Sequence, residues 1–387
     1  MQIVFVSNYI NHHQIPVSDE LYALTGGSYA FIQTEPMEEE RIAMGWDPKS
    51  LEKPYVKLYS DSPEECRRLI MEADCVIFGG TDDESFIMPR LEAGKFTIRY
   101  SERIYKEGRW KFVSPRGLIK KYHDHVRFRK GPVYLLCAGA YVAGDFRLIH
   151  AYPGKKFRFG YFPKTYIYDD VHAQRLSLIN IEKPTKATTT QILWTARMID
   201  WKHPEMVVGL AEKLKQAGKN FHITMIGRGD LKPQIVEQID NNGLSEYISL
   251  IDSLKPEEVR ERMCASHIYI ATSDQREGWG AVINEAMNSG CSIVASKAMG
   301  AVPYLIKDGV NGLTFKSGNS NELYEKVVSL LDNPQKALEL GKEAYNTITT
   351  LWNSKTAAQR LHEFINDPNH ATDLYSEGPL SKERKPC

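Results

Sequence analysis

Residues 267–297 read HIYIATSDQREGWGAVINEAMNSGCSIVASK, and the order of their parts decides the fold. HIYIATS (267–273) and SIVASK (292–297) are short runs apolar on both faces, as strands covered on both sides of a parallel sheet must be. Between them AVINEAMNSG has helical spacing and closes on Gly290, which suits the left-handed position after a helix. DQREGWG is then the loop leaving the first strand, and the whole stretch is one strand–helix–strand crossover.

Similar runs recur on either side: QIVFVSN (2–8), DCVIFGG (74–80), FTIRY (96–100), VYLLCAG (133–139), QILWTAR (191–197) and FHITMIG (221–227). Helical stretches lie at about 204–217, 231–241, 255–264 and 320–333. This alternation predicts an α/β protein built from doubly wound parallel sheets. At 387 residues the chain exceeds what one core usually supports, and about 150 residues per domain predicts two. Between Lys164 and Thr190 the segment IEKPTKATTT is poor in apolar residues. The expected organisation is an N-terminal Rossmann-like domain (1–170), a linker (171–190) and a C-terminal Rossmann-like domain (191–348). A helix (349–366) around TLWNSKTAAQRLHEFI and a loose polar tail (367–387) follow. No internal repeat is present.

Composition narrows the function classes. With 49 basic and 49 acidic residues the net charge is zero, so nothing global argues for nucleic acid. No apolar run approaches the roughly 20 residues of a membrane span, and MQIVFVSNYI lacks the charged start and cleavage site of a signal peptide. A cytoplasmic location is expected. The six cysteines include no CxxC and no His cluster at zinc spacing, so they read as reduced core residues. No metal and no cofactor are expected.

In doubly wound sheets ligands bind at the carboxyl ends of strands. A dinucleotide fingerprint fails there: SNYINHHQIP after the first strand lacks the glycines that let backbone approach a pyrophosphate, and IGRGD (226–230) lacks the third glycine. Nicotinamide chemistry is therefore disfavoured. In the opening stretch, Glu277 sits in the loop and Glu285 about two turns on, beside Val282, Ile283, Ala286 and Met287. A carboxylate on such a helix is costly unless it accepts hydrogen bonds, and sugar hydroxyls are suitable donors. The local pattern fits equally a capping Glu followed by a solvated one.

Wider context adds a resemblance. EGWGAVINEAMNSGCSIVASKAMGAVPYLIKDGVNGLTF (277–315) resembles the donor-binding half of GT-B glycosyltransferases, particularly the retaining family 4 type. Its signature is E-x7-E, here Glu277 and Glu285, followed by a segment matched by Gly300, Pro303, Ile306, Gly309, Gly312 and Leu313. Tyr304 departs from it, standing where an acid is usual. The family's Arg and Lys after the first strand of this domain are matched by Arg197 and Lys202 in WTARMIDWKHPE. The resemblance implies two Rossmann-like domains facing a cleft, with a UDP- or GDP-sugar on the C-terminal one. Glu285 would hold the ribose and Glu277 the sugar ring. Gly278, Trp279, Gly280 and Ala281 would line the sugar pocket, with Gly227 nearby. Arg197 and Lys202 would neutralise the departing diphosphate, in keeping with the absence of a DxD motif.

The N-terminal half resembles the family mainly in architecture. Asn11, His12 and His13 follow the first strand, where they either contact acceptor or phosphate or cap the next helix. Ser101-Glu102-Arg103 stands where relatives carry His-Asp, so Glu102 inherits a position near the reacting sugar but not its residue type. Asp82, in TDDESF, is a further acceptor-side candidate or simply solvated. Between Arg103 and Lys130 ten Lys or Arg face two acids, interleaved with Trp110, Phe112, Tyr122 and Phe128. That pattern suits an anionic membrane surface or a lipid-linked acceptor, and equally a solvated face.

The resulting expectation is a retaining hexosyltransferase acting on a glycan or lipid-linked hydroxyl in polysaccharide or lipopolysaccharide assembly. A nucleotide-sugar epimerase, a sugar phosphorylase or a non-catalytic sugar-binding protein are the alternatives.

Overall fold

In the computed structural model the described residues are 1–39, 42, 52–108, 112–168, 189–368 and 374–383. The chain divides into two compact units, residues 1–164 with 352–387, and residues 165–351. Each unit is a Rossmann-like α/β domain.

Unit 1 holds strands β1 (Ile3–Ser7), β2 (Tyr29–Gln33), β3 (Val56–Leu58), β4 (Cys75–Phe78), β5 (Thr97–Ser101), β6 (Val133–Ala138) and β7 (Lys156–Phe159). They form a parallel sheet in the order β3-β2-β1-β4-β5-β6-β7. Val4, Val6, Ile32, Val76, Phe78, Leu135 and Cys137 belong to the core it shares with its helices. Unit 2 holds β8 (Thr190–Thr195), β9 (Phe221–Ile226), β10 (Ile248–Ile251), β11 (Ile268–Ala271), β12 (Ser292–Ser296) and β13 (Leu313–Phe315), in the order β10-β9-β8-β11-β12-β13. In both sheets the order reverses beside the first strand, between β1 and β4 and between β8 and β11, and the crevice at such a point is where ligands settle.

The eight strands expected from apolar runs all form. β2, β3, β7, β10 and β13 were not expected: VKL and LTF are three residues long, too short to give a period. The crossover at 267–297 is β11, the Val282–Asn288 helix and β12, with β11 and β12 parallel from Ile268↔Ser292 to Ala271↔Ala295. Gly290 takes φ +73° beyond the helix end.

The domain edges differ from the expected ones. Residues 165–168 cluster with unit 2, and Thr190, expected in the linker, opens β8 because its amide bonds the Asn220 carbonyl at 3.3 Å. The rest of the expected linker, 171–188, lies outside the described residues, as does Cys387. The Ser354–Asn366 helix packs on the Ile15–Leu24 helix of unit 1, and Phe364 meets Phe157 at 4.9 Å between ring centres.

The expected loose tail is corrected over its described end. Leu380 is 1% exposed. The Arg158 amide donates to Ser381 O and the Leu380 amide to Arg158 O, both at 2.8 Å. β7 is an edge strand with unpaired backbone groups, so any segment with an apolar anchor gains by covering it. A short polar sequence with two leucines six residues apart gives no periodicity to reveal this.

Entering unit 2, the Tyr166 backbone is clamped by the buried Asn288 amide: its N–H donates to Asn288 Oδ1 at 2.8 Å and its carbonyl accepts from Nδ2 at 2.9 Å. The Tyr168 amide donates to Tyr345 Oη at 2.9 Å, and its hydroxyl lies 3.5 Å from Cys264 Sγ.

Candidate functional site

The switch point of unit 2 gathers residues expected at a donor site. Arg197 and Lys202 follow the end of β8, and Glu277 follows the end of β11, the neighbouring strand. Lys202 and Glu277 form an ion pair, each side chain 13% exposed. Trp201 lies under both cations, its ring centre 4.2 Å from Lys202 Nζ and 5.9 Å from the Arg197 guanidinium carbon.

Two further interactions hold these loops together. The Asp274 amide donates to Trp201 O at 3.0 Å, and Thr272 Oγ1 donates to the Lys202 carbonyl while accepting from buried Trp194 Nε1 at 3.0 Å. Arg276 then bridges the loops by side chains: Nη1 donates to Asp200 Oδ2 at 3.0 Å and Nη2 to Asp274 Oδ2 at 2.8 Å. Sequence reasoning missed Arg276, Asp200 and Asp274. Arg276 precedes Glu277 directly, but a partner 76 residues away leaves no trace in local spacing.

Gly227 has a structural reason to be glycine. At φ +156° its added Cβ would stand 1.8 Å from the Ala196 carbonyl oxygen, so the β9 loop can lie against the Arg197 loop only there. Met198 N donates to Arg228 O at 2.6 Å, joining the same loops. At Gly280, φ is +95° and a Cβ would meet Met299 Cε at 2.7 Å and Glu277 Cγ at 3.4 Å.

Trp279 is refined by the structure. The whole residue is 0% exposed and its indole donates to Asn284 Oδ1 at 2.9 Å, so it supports the loop from the core. The Trp279 carbonyl accepts from Ala301 N at 3.0 Å and the Glu277 carbonyl from Gly300 N at 3.2 Å, which ties the expected sugar loop to the glycine-proline segment. Gly278 belongs to this same stretch, and Ala281 is the cap of the Val282–Asn288 helix.

Glu285 lies one turn into that helix and is partly buried. Desolvation raises its pKa, against the smaller opposing effect of Arg260. Arg260 donates from Nη1 to the Glu285 backbone oxygen at 3.3 Å and to Asn288 Oδ1 at 3.0 Å.

In unit 1 the expected acceptor residues also follow strands at a switch point: Asn11, His12 and His13 after β1, and Asp82 after β4. Asn11 caps its own turn, Oδ1 accepting from the His13 amide at 3.0 Å. His13 stacks on Tyr161 with ring centres 6.1 Å apart. Tyr161 Oη donates to Glu102 Oε1 at 2.6 Å, and Lys106 reaches Glu102 Oε2 at 3.3 Å. Glu102 and His13 therefore share Tyr161 as a neighbour, whereas Asp82 lies exposed in its loop.

Of the basic segment 103–130, residues 109–111 with Trp110 lie outside the described residues. Arg103 departs from a surface role: it is 9% exposed and forks onto buried Asp145, both contacts at 3.2 Å. On and beside the Pro115–Lys121 helix, Val113, Leu118, Ile119 and Tyr122 are exposed between Arg116, Lys120 and Lys121. Glu84, Asp124 and His125 stand close enough to share an ion. Arg99 already pairs with Glu84 at 2.7 Å and Lys120 with Asp124 at 2.9 Å, so the carboxylates have their counter-charges.

The described fold is that of GT-B glycosyltransferase structures. Anabaena Alr3699/HepE, solved in complex with UDP, superposes with a TM-score of 0.70 at 14% identity, over 95% of this chain and 100% of that one. WaaG, a glycosyltransferase involved in lipopolysaccharide biosynthesis, gives 0.61 at 13%, over 94% and 100%. Residues 179–347 match the family model for glycosyl transferases group 1, which spans the unit carrying Arg197, Lys202, Glu277 and Glu285. Among curated proteins, the amylovoran biosynthesis glycosyltransferase AmsK of Erwinia amylovora is 26% identical over 180 residues, 45% of this chain and 44% of that protein. The matches reach about half or less of the length of such relatives. Among the described residues no helix is long and apolar enough to cross a membrane.

Proposed function

We propose that the chain is a glycosyltransferase that moves a hexose-type sugar from a nucleotide diphosphate sugar to a hydroxyl acceptor, retaining the anomeric configuration. The observation that carries this reading is the pairing of Lys202 with Glu277 across the switch point, with Arg197 alongside. A cation pair at one strand end suits a diphosphate leaving group, whose charge grows as the glycosidic bond breaks. On this reading Arg197 and Lys202 take that charge in place of a divalent ion. Glu277 then exchanges Lys202 for hydroxyls of the sugar ring, and Glu285 accepts from the ribose.

A UDP-sugar is the favoured donor class, because Alr3699/HepE was solved with UDP. Cell-surface polysaccharide or lipopolysaccharide assembly is the proposed setting, supported by AmsK, named for amylovoran biosynthesis, and WaaG, involved in lipopolysaccharide biosynthesis. The exposed apolar residues and lysines of the Pro115–Lys121 helix support docking at an anionic membrane, on the cytoplasmic side, beside a lipid-linked acceptor.

Thermal unfolding against UDP-, GDP- and ADP-sugars tests the donor, since a ligand bound only by the native state raises the midpoint. Donor consumption is then followed with and without acceptor. Turnover without acceptor and without nucleotide release would instead identify an epimerase.

A further inference from the structure

Unit 1 has a second feature at the opposite edge of its sheet. At the amino ends of β6 and β7, away from the loops that carry His13, Asp82 and Glu102, a cavity of about 410 Å³ is lined by Arg129, Arg147, His150 and Lys156 together with the apolar Ala151, Pro153 and Gly154. The four basic residues come from three places in the chain: the turn before β6, the end of the Val142–Leu148 helix with the loop after it, and the first residue of β7. Among the described residues no carboxylate pairs with any of them. Glu383, whose amide bonds the Lys156 carbonyl, directs its carboxylate to Arg158 at 3.9 Å.

Lys156 is the most informative member. Its residue is 9% exposed, and Nζ donates to the Tyr152 carbonyl at 2.7 Å, leaving further donors unused. Burial, followed by the opposing pulls of Cys137 and Arg147, leaves its pKa down at about 8. A buried ammonium beside the Arg147 guanidinium is unfavourable unless a counter-charge joins it. The loop between them holds two non-glycine residues in the left-handed region, His150 at φ +56° and Tyr152 at φ +48°, a cost that folds retain most often at binding sites. Arg147 and His150 also face the carboxyl end of a helix, which favours cations. That accounts for neither Arg129 nor the buried lysine.

We propose that this cavity is a binding site for a phosphate-bearing anion, either a free phosphoester or diphosphate or the headgroup of an anionic lipid. Two guanidinium forks, an ammonium and an imidazole match the several oxygens of such a group. The site is independent of the donor loops.

The test uses the full chain with Arg197→Gln and Lys202→Gln already introduced, so that inorganic pyrophosphate cannot be held by the donor-side cations. Calorimetry should show pyrophosphate binding, weakened at least tenfold when exposed Arg129 and half-buried Arg147 are also changed to Gln. Co-sedimentation with phosphatidylglycerol vesicles, against phosphatidylcholine vesicles, separates the sources: a loss confined to the Arg129→Gln/Arg147→Gln protein assigns the lipid headgroup, and pyrophosphate binding alone assigns a free anion. An Arg147→Gln protein that melts lower but binds both probes unchanged has only a helix-end role. That result, or a parent that binds neither probe, overturns the proposal. His150→Ala, at an exposed position, is a second variant should the double change impair folding.

Discussion

Glu285 is held in an environment that disfavours its charge. Its folded pKa is raised, so between the ordinary Glu value and the raised one the native chain keeps a proton that the unfolded chain has released, and stability falls as pH rises through that window. Above the window the penalty is constant. Glu285→Gln is therefore expected to melt above the parent at neutral pH, with the gap closing below about pH 4, where both chains are protonated. The same substitution should weaken donor binding by about tenfold to a hundredfold, the range for losing hydrogen bonds to a charged group. Melting curves at several pH values with and without donor check both signs. Lys202 and Glu277 behave as a pair. Lys202→Met leaves a carboxylate 13% exposed without its partner, a loss on the order of 2 kcal/mol. Glu277→Gln added to it should restore most of that stability and none of the donor binding. A denaturant double-mutant cycle beside donor titrations separates the two roles, and recovery of donor binding in the double variant would remove both residues from the site.

At the scale of elements, the site is two loops leaving adjacent parallel strands, and its geometry depends on how they are joined. Gly227→Ala would drive a methyl into the Ala196 carbonyl, at a cost above about 3 kcal/mol once the left-handed backbone is included. Arg276→Ala loses little at its mostly exposed Asp200 partner, but it takes the guanidinium from the Asp274 carboxylate, 11% exposed, a loss on the order of 2 kcal/mol. The variant should also raise KM for the donor, since Asp200 and Asp274 no longer fix the loop carrying Lys202. Steady-state kinetics and a melt on the same preparation decide this. These elements also mark what the sequence made legible. Strands such as IYIA, apolar throughout, and a helix ended by Gly290 are local patterns, and E-x7-E rides on them. Arg276 bridging to Asp200, the Asn288 clamp on Tyr166 and the tail along β7 are pairings over long sequence distances, and no local period encodes them. Trp279 is the intermediate case: its position in the loop was readable, but the burial of its indole depends on Asn284 and the core behind it.

Across the whole molecule, each unit has its own core, one around Val76 and Leu135 and one around Trp194 and Ile270. Calorimetry is expected to resolve two transitions, and a nucleotide diphosphate should raise the one belonging to residues 165–351 in the parent but not in the Arg197→Gln/Lys202→Gln protein. A single transition that shifts as one would show strong coupling of the units instead. The described tail adds to the first unit alone. Leu380→Ala should cost about 2–3 kcal/mol and lower that transition, while exposing the edge of β7 to aggregation. Cys264 gives these statements a chemical reporter. Cys66, Cys75, Cys137 and Cys291 are buried, and Cys264 is only partly so, covered by Tyr168. In a Cys387→Ser background, a thiol-reactive dye added to the native protein should label Cys264 first, at a rate set by how often the Tyr166–Tyr168 segment lifts away from its Asn288 and Tyr345 contacts. Labelling kinetics would thus time the opening of one short stretch of chain, without a crystal and without knowing the acceptor.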